Sequence, residues 1–122
     1  ISETTASMMS YIEAHYAEKK LLQDAATEFN YSVAYLSDKF SCEVGVTFRE
    51  YLQSYRIEVA KQLFNKSTMN VSEVSAAVGY TDCKYFTLLF KRFTNMTPRE
   101  YREKTLCLSH PPKIYEQKRV RP

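Results

Sequence analysis

Asn70-Val71-Ser72-Glu73-Val74-Ser75-Ala76-Ala77-Val78-Gly79-Tyr80 opens the stretch that decides the fold, which continues through Tyr85-Phe86, Phe90-Lys91 and Thr97-Pro98-Arg99-Glu100. Asn70 is a helix start signal, because its side-chain oxygen can take an orphan backbone N–H. The short helix over 71–78 ends at Gly79, where a left-handed residue is wanted. Thr81 or Asp82 caps a second helix running to about Thr94, with Phe86, Leu89, Phe90 and Phe93 on its inward side. Thr97 to Glu100 is a capping box with Pro98 at the first helical position, so a third helix covers about 98–104.

The same pattern occurs earlier in the chain. Residues 22–29 form a short helix with Leu22, Ala25, Ala26 and Phe29 as its buried stripe. Ser32 caps a helix that reaches Val44 and closes at Gly45. Thr47-Phe48-Arg49-Glu50 is a further capping box. It begins a helix to about Lys66 whose Phe48, Leu52, Tyr55, Val59 and Leu63 recur at helical steps. Tyr31 matches Tyr80 at an offset of 49; after one inserted residue, Tyr35, Phe40, Thr47, Arg49, Glu50 and Tyr51 match Tyr85, Phe90, Thr97, Arg99, Glu100 and Tyr101 at an offset of 50. The chain is a duplication. A helix over 5–18, with Met8, Ile12 and Tyr16 inward, precedes the first copy. The expected architecture is all-α, about seven helices, divided as 1–46, a linker helix 47–66, 67–104, and a basic flexible tail 105–122 that holds Lys118, Arg119 and Arg121.

Composition agrees. The 122 residues contain 2 Gly, too few for a β-sandwich or barrel, while 10 Tyr and 7 Phe suffice for a core. No apolar run approaches a membrane span. Cys42, Cys83 and Cys107 form no CxxC pair, and Cys107 with His110 lacks two further zinc ligands, so no metal or cofactor is expected. Reduced thiols fit a cytoplasmic protein. The chain opens on Ile1, consistent with a fragment of a longer protein. Net charge is +3, but residues 1–45 hold three basic and seven acidic residues against fourteen and seven in 46–122. The basic part permits a polyanion partner.

A short helix, a tight turn and a second helix make the helix-turn-helix reader of DNA. Each copy has its small crossing residue, turn residue and apolar anchors: Ala26, Asn30, Leu36 and Phe40, then Ser75, Gly79, Phe86 and Phe90. One such set is weak; two in tandem with matching capping boxes are strong. A 19-residue linker is about 28 Å long, close to the roughly 34 Å between successive major grooves on one face. The outward faces present Ala34, Ser37, Asp38 and Ser41 in the first copy, and Lys84, Thr87, Leu88 and Lys91 in the second.

The chain resembles the C-terminal DNA-binding domain of AraC/XylS transcription regulators over about residues 5–104. The resemblance is carried by Tyr51-x4-Arg56-Ile57-x2-Ala60-x2-Leu63-Phe64, Val74-Ser75-x3-Gly79-Tyr80, Tyr85-Phe86, Phe90-Lys91 and Met96-Thr97-Pro98-x2-Tyr101-Arg102. It implies two helix-turn-helix units on promoter DNA in the cytoplasm, at the nucleoid. It also implies RNA polymerase as a partner and a separate sensor, dimerisation or receiver domain. The base-reading positions it implies are Ala34, Ser37 and Asp38, then Cys83, Lys84, Thr87 and Leu88. Family members often carry Arg or Gln where Asp38 and Leu88 stand. Phosphate contacts are expected from Ser32, Thr81, Lys91, Arg92 and Arg102, helped by helix N-termini.

Other readings stay open. Lys84, Lys91 and Arg92 also suit an ordinary solvated face, and Asp38 a partner for Lys39. Cys83 is an incidental small residue or a thiol sensitised by Lys84. A helical protein-interaction module that has lost DNA binding is the alternative function, favoured by the acidic first unit. An enzyme is not indicated, since no paired carboxylates, phosphate loop or nucleophile–base set occurs.

Overall fold

A computed structural model describes residues 1–109, with side chains described through Thr105. Among these residues are seven helices and no strands: α1 Glu3–His15, α2 Leu21–Phe29, α3 Val33–Val44, α4 Phe48–Lys66, α5 Val71–Ala77, α6 Cys83–Thr94 and α7 Pro98–Ser109. The expected caps organise them. Thr47 with Glu50 and Asn70 with Glu73 form reciprocal capping boxes, and the Thr97 and Glu100 side chains and amides exchange the same two bonds. The largest departures from the expected bounds are in α1 and α7. α1 starts earlier, because the Ser2 side chain accepts from the Thr5 amide, and it ends at His15 rather than residue 18. α7 runs five residues beyond 104, into what was expected to be tail. Its Thr105 is buried, and its hydroxyl donates to the Arg102 carbonyl, which holds the helix turn there. His110 and the basic residues Lys118, Arg119 and Arg121 lie outside the described residues.

Two apolar cores form, one per repeat. The first gathers Met8, Ile12, Leu21, Leu36, Phe40 and Phe48; the second gathers Ile57, Phe64, Val74, Phe86, Leu89 and Phe90. α4 serves both. Its fully buried line is Phe48, Gln53, Arg56, Ile57, Ala60 and Phe64, not the expected Phe48-Leu52-Tyr55-Val59-Leu63. Those last four are only half-buried. A helix packed by one unit through Phe48, Tyr51, Leu52 and Tyr55 and by the other from Ile57 onward has no single inward stripe, so a one-face periodicity misplaces it. In α2 likewise Leu21, not Leu22, is fully buried, with Ala25 and Ala26. Phe93 was expected inward and is 40% exposed. It sits in α6's last turn, over a cleft it shares with Val46, Tyr51 and Arg92.

The duplication is visible in the backbone. The described left-handed residues are Asn30, Gly45, Gly79 and Asn95, with φ of 60°, 92°, 99° and 62°. Asn30 and Gly79 occupy the two helix-turn-helix turns; Gly45 and Asn95 end the two second helices. Asn and Gly have exchanged places between the copies, since these are the residue types for which positive φ costs least. Each turn closes alike: Tyr31 N–H donates to the Ala26 carbonyl at 3.0 Å, and Tyr80 N–H to the Ser75 carbonyl at 2.9 Å.

The second turn carries a constraint that the other left-handed glycine lacks. A Cβ at Gly79 would lie 2.8 Å from the Ala17 carbonyl oxygen, in the loop after α1, whereas a Cβ at Gly45 would meet nothing within 4 Å. Gly79 therefore admits the first unit's loop onto the second unit's turn. Gly45→Ala should cost about 1 kcal/mol, the left-handed strain alone. Gly79→Ala should cost about 3 kcal/mol or more, because a backbone atom must also move. Urea denaturation of both variants checks this; equal losses would show that the Ala17 contact does not matter.

Candidate nucleic-acid interface

α3 and α6 are the second helices of the two helix-turn-helix units, and each buries one side. Leu36 and Phe40 anchor α3; Phe86, Leu89 and Phe90 anchor α6. Opposite those anchors, Ala34 and Asp38 are exposed and Ser37 partly so on α3; Lys84 and Leu88 are exposed and Cys83 and Thr87 partly so on α6. Each expected base-facing residue thus lies on its helix's outward side. Leu88 is 68% exposed, more than any neighbouring apolar side chain on α6. The Thr87 hydroxyl donates to the Cys83 carbonyl at 2.9 Å, so what it offers outward is a lone pair and a methyl. Asp38 is not the partner of Lys39: that lysine pairs with Glu43 at 3.2 Å, in the same helix. Glu43 also accepts the Ser2 amide at 2.7 Å, which, with help from Thr5 and Lys39, holds its carboxyl down at about 2.

The expected phosphate contacts divide. Thr81, Lys91 and Arg92 are exposed. Ser32 is the N-cap of α3, where its oxygen accepts the Tyr35 amide at 3.1 Å and its hydroxyl proton is still available. Arg102 differs from these in being engaged within the chain. Its guanidinium donates to the Phe64 and Ser67 carbonyls, both at 2.9 Å, and to the Met69 carbonyl, and it lies over the Phe64 ring. It closes the C-terminus of α4, where carbonyls lack helical partners and a cation is favoured. Helix N-termini are also less open to anions than expected. Asp82, not Thr81, caps α6; its carboxylate accepts from the Lys84 and Tyr85 amides and places a negative charge at that end.

Three contacts that join the units are not recorded in either unit's periodicity. Arg56 of α4 is 7% exposed. It donates to the Tyr16 carbonyl at 2.5 Å and the Glu18 carbonyl at 2.8 Å, and its guanidinium lies 4.9 Å over the Tyr80 ring. The Gly79 approach to Ala17 is the second contact. The third is the Tyr85 hydroxyl of α6, which accepts from Gln53 at 3.0 Å and from Arg49 at 3.3 Å. Tyr85 near one end of α6 bonds Gln53 of α4, and Phe93 near the other end borders a cleft with Glu50, Tyr51 and Ser54 of α4. Phe90, on the adjacent flank, meets Phe64 near the end of α4 at 5.7 Å between rings. The linker therefore passes across α6. The sequence signal for these contacts was polar Gln53 and Arg56 standing in register with Ile57, Ala60 and Phe64.

The equivalent tyrosines show what the docking does. Tyr80 is buried beneath Arg56, whereas its counterpart Tyr31 is 44% exposed and stacks only on Tyr35. Burial pushes the Tyr80 phenol up, and the Arg56 charge opposes that.

Residues 25–104 match the model of a helix-turn-helix domain family. The chain is 36% identical over 96 residues to an uncharacterised HTH-type transcriptional regulator of Escherichia coli K12, YijO, over 79% of this chain and 34% of that protein. It is 30% identical over 96 residues to the HTH-type transcriptional activator RhaS of Salmonella schwarzengrund, with the same coverages. The chain thus spans about a third of the length of both. Among solved structures it resembles the C-terminal domain of AraT, a response regulator from Geobacillus stearothermophilus, at 30% identity and a TM-score of 0.80, over 84% of this chain and 86% of that one.

Arg102→Ala should lower stability by about 2–3 kcal/mol, the range for losing charge-assisted bonds to helix-end carbonyls. It should leave the salt dependence of DNA binding unchanged, in contrast to Lys91→Ala. A reduced slope in a folded Arg102→Ala protein would restore Arg102 as a phosphate contact.

Proposed function

Since the chain belongs to the AraC-type family of helix-turn-helix transcription-regulator domains, we propose that it reads promoter DNA by setting α3 and α6 into successive major grooves of one duplex. The family and the fold are those of transcription regulators, not enzymes. The observation that carries the reading is the pair of outward helix faces, each opposite its own aromatic anchor, in units docked through Arg56, Gly79 and Tyr85. A single chain then supplies both readers, where a simple helix-turn-helix protein needs a dimer. Ala34, Ser37 and Asp38 face the first groove, and Cys83, Lys84, Thr87 and Leu88 the second. Ser32, Thr81, Lys91 and Arg92 hold the phosphates that fix the register.

Charge makes the units unequal. Lys91 and Arg92 stand exposed on α6, whereas α3 presents Asp38, and its Lys39 is engaged by Glu43. The second unit supplies most of the non-specific affinity, and the first contributes mainly discrimination. Asp38 accepts from cytosine N4 and is repelled by phosphates. In the cell the domain acts at the nucleoid, with RNA polymerase and an attached sensor, dimerisation or receiver domain as partners. The RhaS likeness favours activation.

Leu88 gives the sharpest test. An exposed leucine in the middle of an outward helix face has one apolar partner in a major groove, the thymine C5-methyl. On a duplex selected from a random pool, footprinting should show one monomer protecting two successive major grooves on one face. Replacing the thymine opposite Leu88 by uracil should weaken wild-type binding by about 1 kcal/mol, the scale of one buried methyl, and barely affect Leu88→Ala. Protection that requires a protein dimer would overturn the two-reader proposal; equal losses in both proteins would remove Leu88 as a reader.

A further inference from the structure

Arg49 is the repeat residue that neither the capping boxes nor the cores use. It matches Arg99 at the offset of 50, beside Thr47, Glu50 and Tyr51. Thr47 and Glu50 cap α4, and Tyr51 packs edge-on against Phe40. Arg49 itself is exposed.

Its position is informative. Arg49 lies in the first turn of α4, four residues past the Gly45 that ends α3's helical path. From there its Nη2 donates to the Tyr85 hydroxyl of α6. One guanidinium therefore starts beside the first outward helix and is anchored on the second. That anchor uses one of five N–H donors. Among the described ion pairs, His15–Glu18, Lys39–Glu43 and Lys61–Glu58, none includes Arg49. Its neighbour Glu50 is committed to the Thr47 amide and hydroxyl. Tyr85 lies about 60° around α6 from Leu88, by helix periodicity, so the guanidinium borders the outward face.

A duplex that gives one major groove to each reader must carry its intervening backbone past the strip between them. That strip displays Arg49, with exposed Arg92 on the α4-facing side of α6. We propose that Arg49 contacts a DNA phosphate in this intervening segment and that Tyr85 is the residue that positions it. The inference rests on the two-groove reading above and adds a contact that belongs to neither reader. The planar fork suits a phosphate better than a lysine would. Anchoring on Tyr85 and Gln53's shared oxygen reduces the side-chain freedom that binding would otherwise remove.

The test uses wild type, Arg49→Ala, Arg49→Lys and Tyr85→Phe on one selected duplex across a salt series. It is repeated with uncharged methylphosphonates at the phosphates between the two protected grooves. Arg49→Ala should bind about tenfold more weakly, the low end for one charge-assisted hydrogen bond, and its salt slope should fall by about one. Arg49→Lys should keep the slope. The methylphosphonates should weaken wild type and leave Arg49→Ala unchanged, with Tyr85→Phe in between. Thermal melts of Arg49→Ala should show a cooperatively folded protein, since Gln53 still holds the Tyr85 hydroxyl. Wild-type affinity and slope in Arg49→Ala, or equal methylphosphonate losses in both proteins, would overturn this contact alone. Failure of wild type to bind any duplex would instead overturn the DNA-reading proposal beneath it.

Discussion

A buried guanidinium docks the two units against each other. Arg56 projects from the linker helix, takes the Tyr16 and Glu18 carbonyls left over where α1 ends, and covers the Tyr80 ring. A helix C-terminus needs donors that its own backbone cannot supply, and here the donor comes from an element 38 or more residues away. Removing that charge would leave carbonyls and a ring face unpartnered, a loss of several kcal/mol by the usual scale for breaking a buried charged network. Gly79 meets the same loop at Ala17, and Tyr85 fastens the far side of α6 to Gln53 and Arg49. Arg102 performs the matching task at the C-terminus of α4. Arginine stems filling apolar space while their forks collect helix-end carbonyls are thus a repeated device in this small protein.

A duplicated fold need not give duplicated functions. The copies share their turn geometry, caps and aromatic anchors, yet their outward faces have diverged. Small and acidic side chains lie on α3, and lysines with a bare leucine on α6. The docking itself breaks the symmetry: Tyr80 and Tyr85 are committed to the linker, while Tyr31 and Tyr35 remain in the open and stack on each other. The same exchange appears at the turns. Asn30 holds its left-handed place at an exposed turn, whereas Gly79 must be glycine because the other unit's loop presses on it.

The local part of this structure was legible in the sequence. Thr47-Glu50 and Thr97-Glu100 fix helix starts because a cap is a contact within three residues, and the alternation of anchors in α6 identifies Phe86, Leu89 and Phe90 as inward. What was not legible lies between residues far apart. In sequence Arg102 is one basic residue among several, and only its closeness in space to the Phe64 and Ser67 carbonyls shows that it ends a helix. Phe93 has core spacing, but in the last turn of α6 it borders an open cleft beside α4 and stays exposed. The linker's inward line does not follow from its periodicity because two cores pack on it from different directions. The outward residues were correctly placed by periodicity, since exposure follows helix phase; what each one touches on a ligand does not follow from phase.

Rigid coupling of the readers is the claim on which the rest depends, and DNA spacing tests it directly. Take the selected duplex and insert about five base pairs, half a helical turn, between the two protected grooves. If Arg56, Gly79 and Tyr85 hold the units as one body, the wild-type chain cannot follow both grooves, and its affinity should fall to that of a duplex carrying one half alone. Equal affinity for the original and the lengthened duplex, with both grooves still protected, would contradict it.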